Sequence, residues 1–291
     1  MQAELIVDAR NAVGECPVWL PEENALYWVD IPNGCLQRWD ASNGHVQTWK
    51  TPQMLACIAR ASNGHWIAGM ETGFFQLTPH SDNSLDTALL ATVKHARPDM
   101  RLNDGRCDRQ GRFWAGSMVR NMSANAAQGA LYCYETGQTP QARLDGFITP
   151  NGLAFSPDGR TMYLSDSHPQ VQQIWAFDYD TDSGTPSNQR LFVDMHQFLG
   201  RPDGAAVDAE GCYWICANDA GLIHRFTPDG RLDYSLAVPV KKPTMCAFGG
   251  SRLDTLFVTS IRDDHSEHSL AGGVFALNPG VQGLPEAQFN V

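Results

Sequence analysis

Glu15, Asn103, Asn151 and Asp203 are the side chains whose types and spacing could do chemistry together. Asn103, Asn151 and Asp203 each stand eight residues before the Gly of a following turn, Gly111, Gly159 and Gly211. Glu15 precedes Leu26 of "LYWVD" by eleven residues, as Asn151 precedes Met162 of "MYLSD". Singly, the two Asn and the Asp read as turn-formers beside glycine. A Glu in the same phase does not. Two carboxylates pushed together in a partly enclosed site repel, and one protonates unless a cation lies between them. Oxygen ligands with two negative charges suit a hard divalent ion such as Ca²⁺, Mg²⁺ or Mn²⁺. Zn²⁺ or Fe²⁺ could occupy the same cage, although no His or Cys at these positions makes it zinc-specific. Three or four protein ligands leave positions for water and substrate, the layout of a catalytic metal site.

Such a site needs elements that bring distant residues to one level, and the sequence supplies them as a repeat. Six segments share one grammar of short strand, polar turn and aromatic-rich strand: "ECPVWLPEENALYWVD" from 15, "ACIARASNGHWIAGM" from 56, "NDGRCDRQGRFWAGSM" from 103, "NGLAFSPDGRTMYLSD" from 151, "DGAAVDAEGCYWIC" from 203 and "MCAFGGSRLDTLFVTS" from 245. Their starts lie 41, 47, 48, 52 and 42 residues apart. Four short strands in about 45 residues are the pattern of a propeller blade. The expectation is an all-β, six-bladed β-propeller with four-stranded antiparallel blades and a central metal site, one domain over residues 1–291. A strand near Leu5 to Asp8 should complete the last blade beside "GGVFALNP" (272–279). Only 82–97 and 194–199 read as places for a short turn of helix. In this register the ring at one channel mouth is Glu15, Ala56, Asn103, Asn151, Asp203 and Met245.

Composition excludes several other classes. The chain of 291 residues carries a net charge of −11, with Lys and Arg scattered, which disfavours nucleic acid. No apolar run approaches the roughly 18 residues of a membrane span, and the N-terminus does not read as a signal peptide. A cytoplasmic protein with reduced, buried cysteines is expected, either a monomer or a small homo-oligomer. The pair Cys212 and Cys216 lacks a second pair to complete a metal site. "RDDHSEHS" (262–269) gathers Asp263, Asp264, His265, Glu267 and His268, but out of phase with the ring, and reads as a solvated loop. His168 reads as a loop residue, and the aromatics of "LYWVD", "RFWAG" and "CYWIC" as packing between blades.

Five motifs carry a resemblance: "GECPVWLPEENALYWVDI" (14–31), "RLNDGRCDRQGRFWAGSM" (101–118), "PNGLAFSPDGRTMYLSDS" (150–167), "RPDGAAVDAEGCYWI" (201–215) and "AGGVFAL" (271–277). In these residues and their order the chain resembles the regucalcin and gluconolactonase family of metal-dependent sugar lactone hydrolases. The resemblance implies a six-bladed propeller with one divalent metal, held by Glu15, Asn151 and Asp203. It implies Arg101 and Asn103 as substrate-binding residues. Several relatives carry an acidic substrate contact just after "GSM"; here Asn121 stands near that position, in a loop (119–129) that could cover the site.

Opening a sugar lactone needs a polarised carbonyl, an activated water and a stabilised oxyanion. A divalent ion supplies the first and third. Asp203 is the candidate general base, and the fork of Arg101 suits paired oxygens of ring hydroxyls or a product carboxylate. There is no G-x-S-x-G elbow, H-E-x-x-H, P-loop or G-x-G-x-x-G. The expected partner is a small sugar (aldono-) lactone. The alternatives are a related propeller hydrolase acting on aryl esters or phosphotriesters, and a non-catalytic, metal-stabilised binding propeller.

Overall fold

A computed structural model describes residues 3–262 and 270–291. The run 263–269, which holds most of "RDDHSEHS", lies outside the described residues.

Six antiparallel four-stranded sheets surround a central channel as the repeat predicts. Their inner strands are Gly14–Leu20, Leu55–Arg60, Met100–Cys107, Pro150–Phe155, Arg201–Val207 and Pro243–Gly249 for blades 1 to 6. In blade 6 the outermost strand is Glu4–Val7, which pairs with Val274–Leu277, so the two ends of the chain close the ring by hydrogen bonds. Among the described residues no helix is long and apolar enough to cross a membrane.

Aromatic side chains fill every gap between blades. Tyr27 meets Trp66, Phe74 meets Phe113, Trp114 meets Tyr179, Tyr163 meets Tyr213, Trp214 meets Phe248, and Trp19 stacks on Phe257. Each pair joins neighbouring blades, so the packing reading of "LYWVD", "RFWAG" and "CYWIC" holds. All eight cysteines are buried and unpaired.

The segment 82–97 differs from the helical expectation. Leu85–Thr92 is the outer strand of blade 2, paired with Gly73–Pro79. The Ala- and Leu-rich run has helical propensity, but a free sheet edge offers it eight residues of backbone pairing, and tertiary context wins. Within 194–199, Met195–Gln197 is a single 3₁₀ turn.

Turns at the far end of the inner strands are held by buried aspartates. Asp208, wholly buried, accepts from the Glu210 and Cys212 amides, from Trp214 Nε1 at 2.8 Å and from Arg225 Nε at 2.8 Å. Asp108 holds the corresponding turn of blade 3 through Arg112 and the Gln110 amide. Removing one partner of a buried pair strands the other charge. Asp208→Ala is therefore expected to cost about 3–5 kcal/mol, read as a lowered urea midpoint; a midpoint within error of wild type would contradict this account.

Candidate functional site

Each of the six inner strands breaks register once with its neighbour, at one level of the channel. The breaks fall between Glu15 and Val18, Leu55 and Cys57, Leu102 and Gly105, Asn151 and Ala154, Pro202 and Ala205, and Pro243 and Cys246. A β-bulge of this kind frees the strand from strict alternation and re-aims a side chain. In blades 1 and 4 the residue after the ring position is in the left-handed region, Cys16 at φ 49° and Gly152 at φ 61°.

Pairing fixes the ring members. Gly14, Pro150, Pro202 and Pro243 face Asp30, Asp166, Ala217 and Ser260 at equivalent places. The next residues are Glu15, Asn151, Asp203 and Thr244. Blade 6 thus contributes Thr244 at this level and not Met245, because its strand lacks the turn spacing on which the sequence register relied. The Met245 side chain lies behind the ring, with Cys16, Ile58, Arg106, Phe248 and Glu286, around a cavity of about 190 Å³. That cavity belongs to the opposite end of the channel, where 285–288 cross it, and is separate from the ring chemistry.

Glu15, Asn103, Asn151 and Asp203 are all buried. Asn151 Nδ2 donates to Asp203 Oδ1 at 2.8 Å and to Ser167 Oγ at 2.8 Å, while Asn151 Oδ1 is buried with no hydrogen-bond partner. Asn218 Nδ2 donates to Asp203 Oδ2 at 2.6 Å. Neither oxygen of Asp203 is therefore free of hydrogen bonds, although each keeps a lone pair. Arg101 Nη1 donates to Asn103 Oδ1 at 2.8 Å, and Asn103 Nδ2 to the Pro150 carbonyl at 3.0 Å, so this pair leans on the blade that carries Asn151.

Charge is crowded here. Burial pushes the Glu15 carboxyl well above the usual carboxylate range, and repulsion from Asp203 and Asp104 adds to it. Burial also pushes Asp203 up to about 7, against the hydrogen bond from Asn218. Asp104, unremarked in the sequence because "NDG" reads as a turn, is a third buried carboxylate, raised by burial. One of its oxygens accepts from the Leu153 amide at 2.9 Å, and the other has no partner. Arg106 acts on Asp104 and Arg201 on Asp203, while Arg101, lowered to about 10 by burial and held up by Glu15, acts on Glu15. No carboxylate lies within ion-pair distance of Arg101 among the described residues.

An orphaned amide oxygen beside carboxylates that resist ionising is what a hard divalent cation would relieve. Glu15, Asn151 Oδ1 and Asp203 together fit such an ion. Asp208, Glu210 and Cys212 form another acidic cluster, but Arg225 bonds both carboxylates there and already supplies the positive charge. Asn121 caps the 3₁₀ turn Met122–Ala124, where its Oδ1 accepts from the Ser123 amide; it is exposed. His168 is in a loop, as expected, yet buried. Ser167, Asn218 and Arg201 also touch the site and carry no sequence signal, since their contacts cross between strands and blades.

A carboxyl whose pKa is raised in the fold favours folding fully below the ordinary carboxylate range, and that contribution is lost as pH climbs through its folded value. Metal-stripped protein should therefore show a Tm that falls between about pH 4 and about pH 7, the window set by Asp203, with Glu15 shifted in the same direction. A saturating divalent ion should raise Tm more at the upper pH. Equal stabilisation at both ends in differential scanning calorimetry would count against this ring as the cation site.

Comparison with known proteins shows which family the chain belongs to. Residues 13–262 match the family described as the SMP-30/Gluconolactonase/LRE-like region. A 6-deoxy-6-sulfogluconolactonase of Pseudomonas putida is 37% identical over 98% of this chain and 97% of its own. Regucalcin of Xenopus laevis is 32% identical over 99% of this chain and 98% of its own. The structure of a calcium-binding regucalcin from Agrobacterium tumefaciens superposes with a TM-score of 0.89 at 26% identity, covering 99% of this chain and 97% of the other. With its six blades, its bulged channel ring and a match spanning most of its length, the chain belongs to the SMP-30/gluconolactonase/regucalcin family.

Proposed function

We propose that this protein is a sugar lactone lactonase that opens an aldonolactone to the corresponding sugar acid with the help of a divalent ion. The observation that carries the metal is the unpartnered Asn151 Oδ1, whose amide is fixed by the bonds of its nitrogen to Ser167 and to Asp203. Glu15, Asn151 and Asp203 would hold the ion, which when bound supplies Lewis-acid polarisation of the lactone carbonyl. Lactone hydrolysis itself is supported by the family and by relatives named for it. One relative's description as calcium-binding supports Ca²⁺ among the candidates, alongside Mg²⁺, Mn²⁺, Zn²⁺ and Fe²⁺.

Asp203 serves as general base. Each Asp203 oxygen keeps a lone pair beside the hydrogen bond it accepts, so the carboxylate could take a proton from the attacking water and return it to the leaving ring oxygen. The amides of Asn151 and Asn218 hold its carboxylate plane still during both transfers. Arg101 and Asn103 bind substrate oxygens: Asn103 keeps Arg101 in place through Oδ1, and the remaining guanidinium edge has no carboxylate to satisfy it. Asn121, where the family resemblance expects an acid, leaves this rim less negative. A lactone bearing an anionic substituent is then admissible beside neutral ones, and the relative named for a sulfonated gluconolactone gives that reading weight.

Initial rates on neutral and sulfonated aldonolactones, with each metal returned to stripped enzyme and spontaneous opening subtracted, test the proposal. Asp203→Asn should lower kcat by about 10²- to 10⁴-fold, and Glu15→Gln should raise the metal concentration needed for activity. Wild-type rates in both variants would remove the catalytic assignment and favour a binding propeller. Cleavage of aryl esters or phosphotriesters with no lactone opening would redirect it to the other hydrolase class.

A further inference from the structure

Ser167 and Asn218 occupy one structural position in two successive blades. Ser167 follows Asp166, which faces Pro150; Asn218 follows Ala217, which faces Pro202. Each touches the ring residue of its own blade and the carbonyl just ahead of the ring residue in the next. Ser167 Oγ accepts from Asn151 Nδ2 at 2.8 Å and donates to the Pro202 carbonyl. Asn218 Nδ2 donates to Asp203 Oδ2 at 2.6 Å and to the Pro243 carbonyl at 3.4 Å.

A count of protons sets the direction of every bond. The Pro202 carbonyl can only accept, so the single Ser167 hydroxyl proton goes there. Ser167 Oγ must then accept from Asn151, which requires the amide nitrogen, and Asp203 Oδ1 accepts the second proton of that nitrogen. The Asn151 oxygen is left turned away from both partners. Arg201 fixes the other amide in the same way: Nη2 reaches Asn218 Oδ1 at 3.5 Å, Nη1 donates to the Ser167 carbonyl at 3.2 Å and Nε to Asp219 at 2.7 Å. With its oxygen toward a guanidinium, Asn218 presents its nitrogen to Asp203.

We propose that Ser167 and Asn218 are a matched pair of positioning residues, which hold Asn151 oxygen-first and fix the carboxylate plane of Asp203 so that these two ligands meet a divalent ion from adjacent blades. The inference rests on the metal reading given under the proposed function. Loss of the Ser167 acceptor lets the Asn151 amide turn and present N–H protons to the cation. Partners behind metal ligands commonly contribute 10- to 100-fold in affinity.

The test is calorimetric titration of stripped protein with Ca²⁺, together with the Asn151 side-chain amide resonances in ¹⁵N-labelled, metal-free protein. Ser167→Ala and Asn218→Ala should each weaken Ca²⁺ binding about 10- to 100-fold. Ser167→Thr, which keeps the hydroxyl, should restore binding to within about threefold of wild type. Metal-free Ser167→Ala should also show the Asn151 NH₂ signals moved from their wild-type shifts, whereas Ser167→Thr should not. Wild-type Ca²⁺ affinity in both alanine variants overturns the proposal and leaves the metal reading intact. A loss that follows a lowered urea midpoint and is not restored by Ser167→Thr also overturns it, since the role is then structural. Should wild type bind no divalent ion, the metal reading fails, and unmoved Asn151 resonances in Ser167→Ala would sink the positioning role with it.

Discussion

An inner propeller strand has to stay paired with its neighbour and still turn a polar side chain into the channel. A strictly alternating strand cannot do both at every level, and the single register break in each of the six inner strands is what reconciles them. The level of the break is then locked from blade to blade. Thr244 Oγ1 donates to the Gly14 carbonyl, Asn103 to Pro150, Ser167 to Pro202 and Asn218 to Pro243. In every case the acceptor is the carbonyl just ahead of a ring residue. Position around the ring is thereby set by backbone groups that substitutions at the surface do not reach.

Within that frame the electrostatics work against themselves. Glu15, Asp104 and Asp203 are buried within reach of one another's charge, and the arginines that act on them, Arg101, Arg106 and Arg201, form no ion pair with any of the three among the described residues. Elsewhere Asp108 and Asp208 are each met by an arginine and an indole, and Asp30 and Asp166 by backbone amides. Where charge is matched by a covalently attached cation, the role is to hold a turn. Glu15, Asp104 and Asp203 have no arginine within ion-pair distance among the described residues, and carboxyls perturbed in this way cluster at functional sites.

Much of this was legible in the chain. The aromatic strand and turn glycine recur often enough to set six blades, the closing strand near Leu5, and the phase that joins Glu15 to Asn151 and Asp203. Legibility ended where the relevant distance is measured across blades. Ser167 and Asn218 hide in "SDSHPQ" and "CANDAG" because nothing local marks a residue whose partner is a carbonyl 35 or 25 positions later. Asp104 hides behind the turn character of "NDG". Met245 displaced Thr244 because the turn of blade 6 is one residue longer than those of blades 1 and 4, which shifts the phase counted back from the following strand. The run 82–97 misled for the opposite reason: its propensity is local, and its strand pairing is not.

The bulges also explain why adjacent ring residues can take different roles. In blades 1 and 4 the ring residue is still paired, opposite Val29 and Ser165, and the extra residue comes after it. In blades 3 and 5 the ring residue itself lies inside the break, as Asn103 and Asp203 do. A paired residue is held by the sheet and suits a fixed ligand. Asp203, within the bulge, has two amides to orient its carboxylate, and the side chain of paired Asn151 is oriented by Ser167 and Asp203. Sheet pairing therefore sets where the backbone of Glu15 and Asn151 stands, while side-chain hydrogen bonds set how the Asn151 amide and the Asp203 carboxylate are turned.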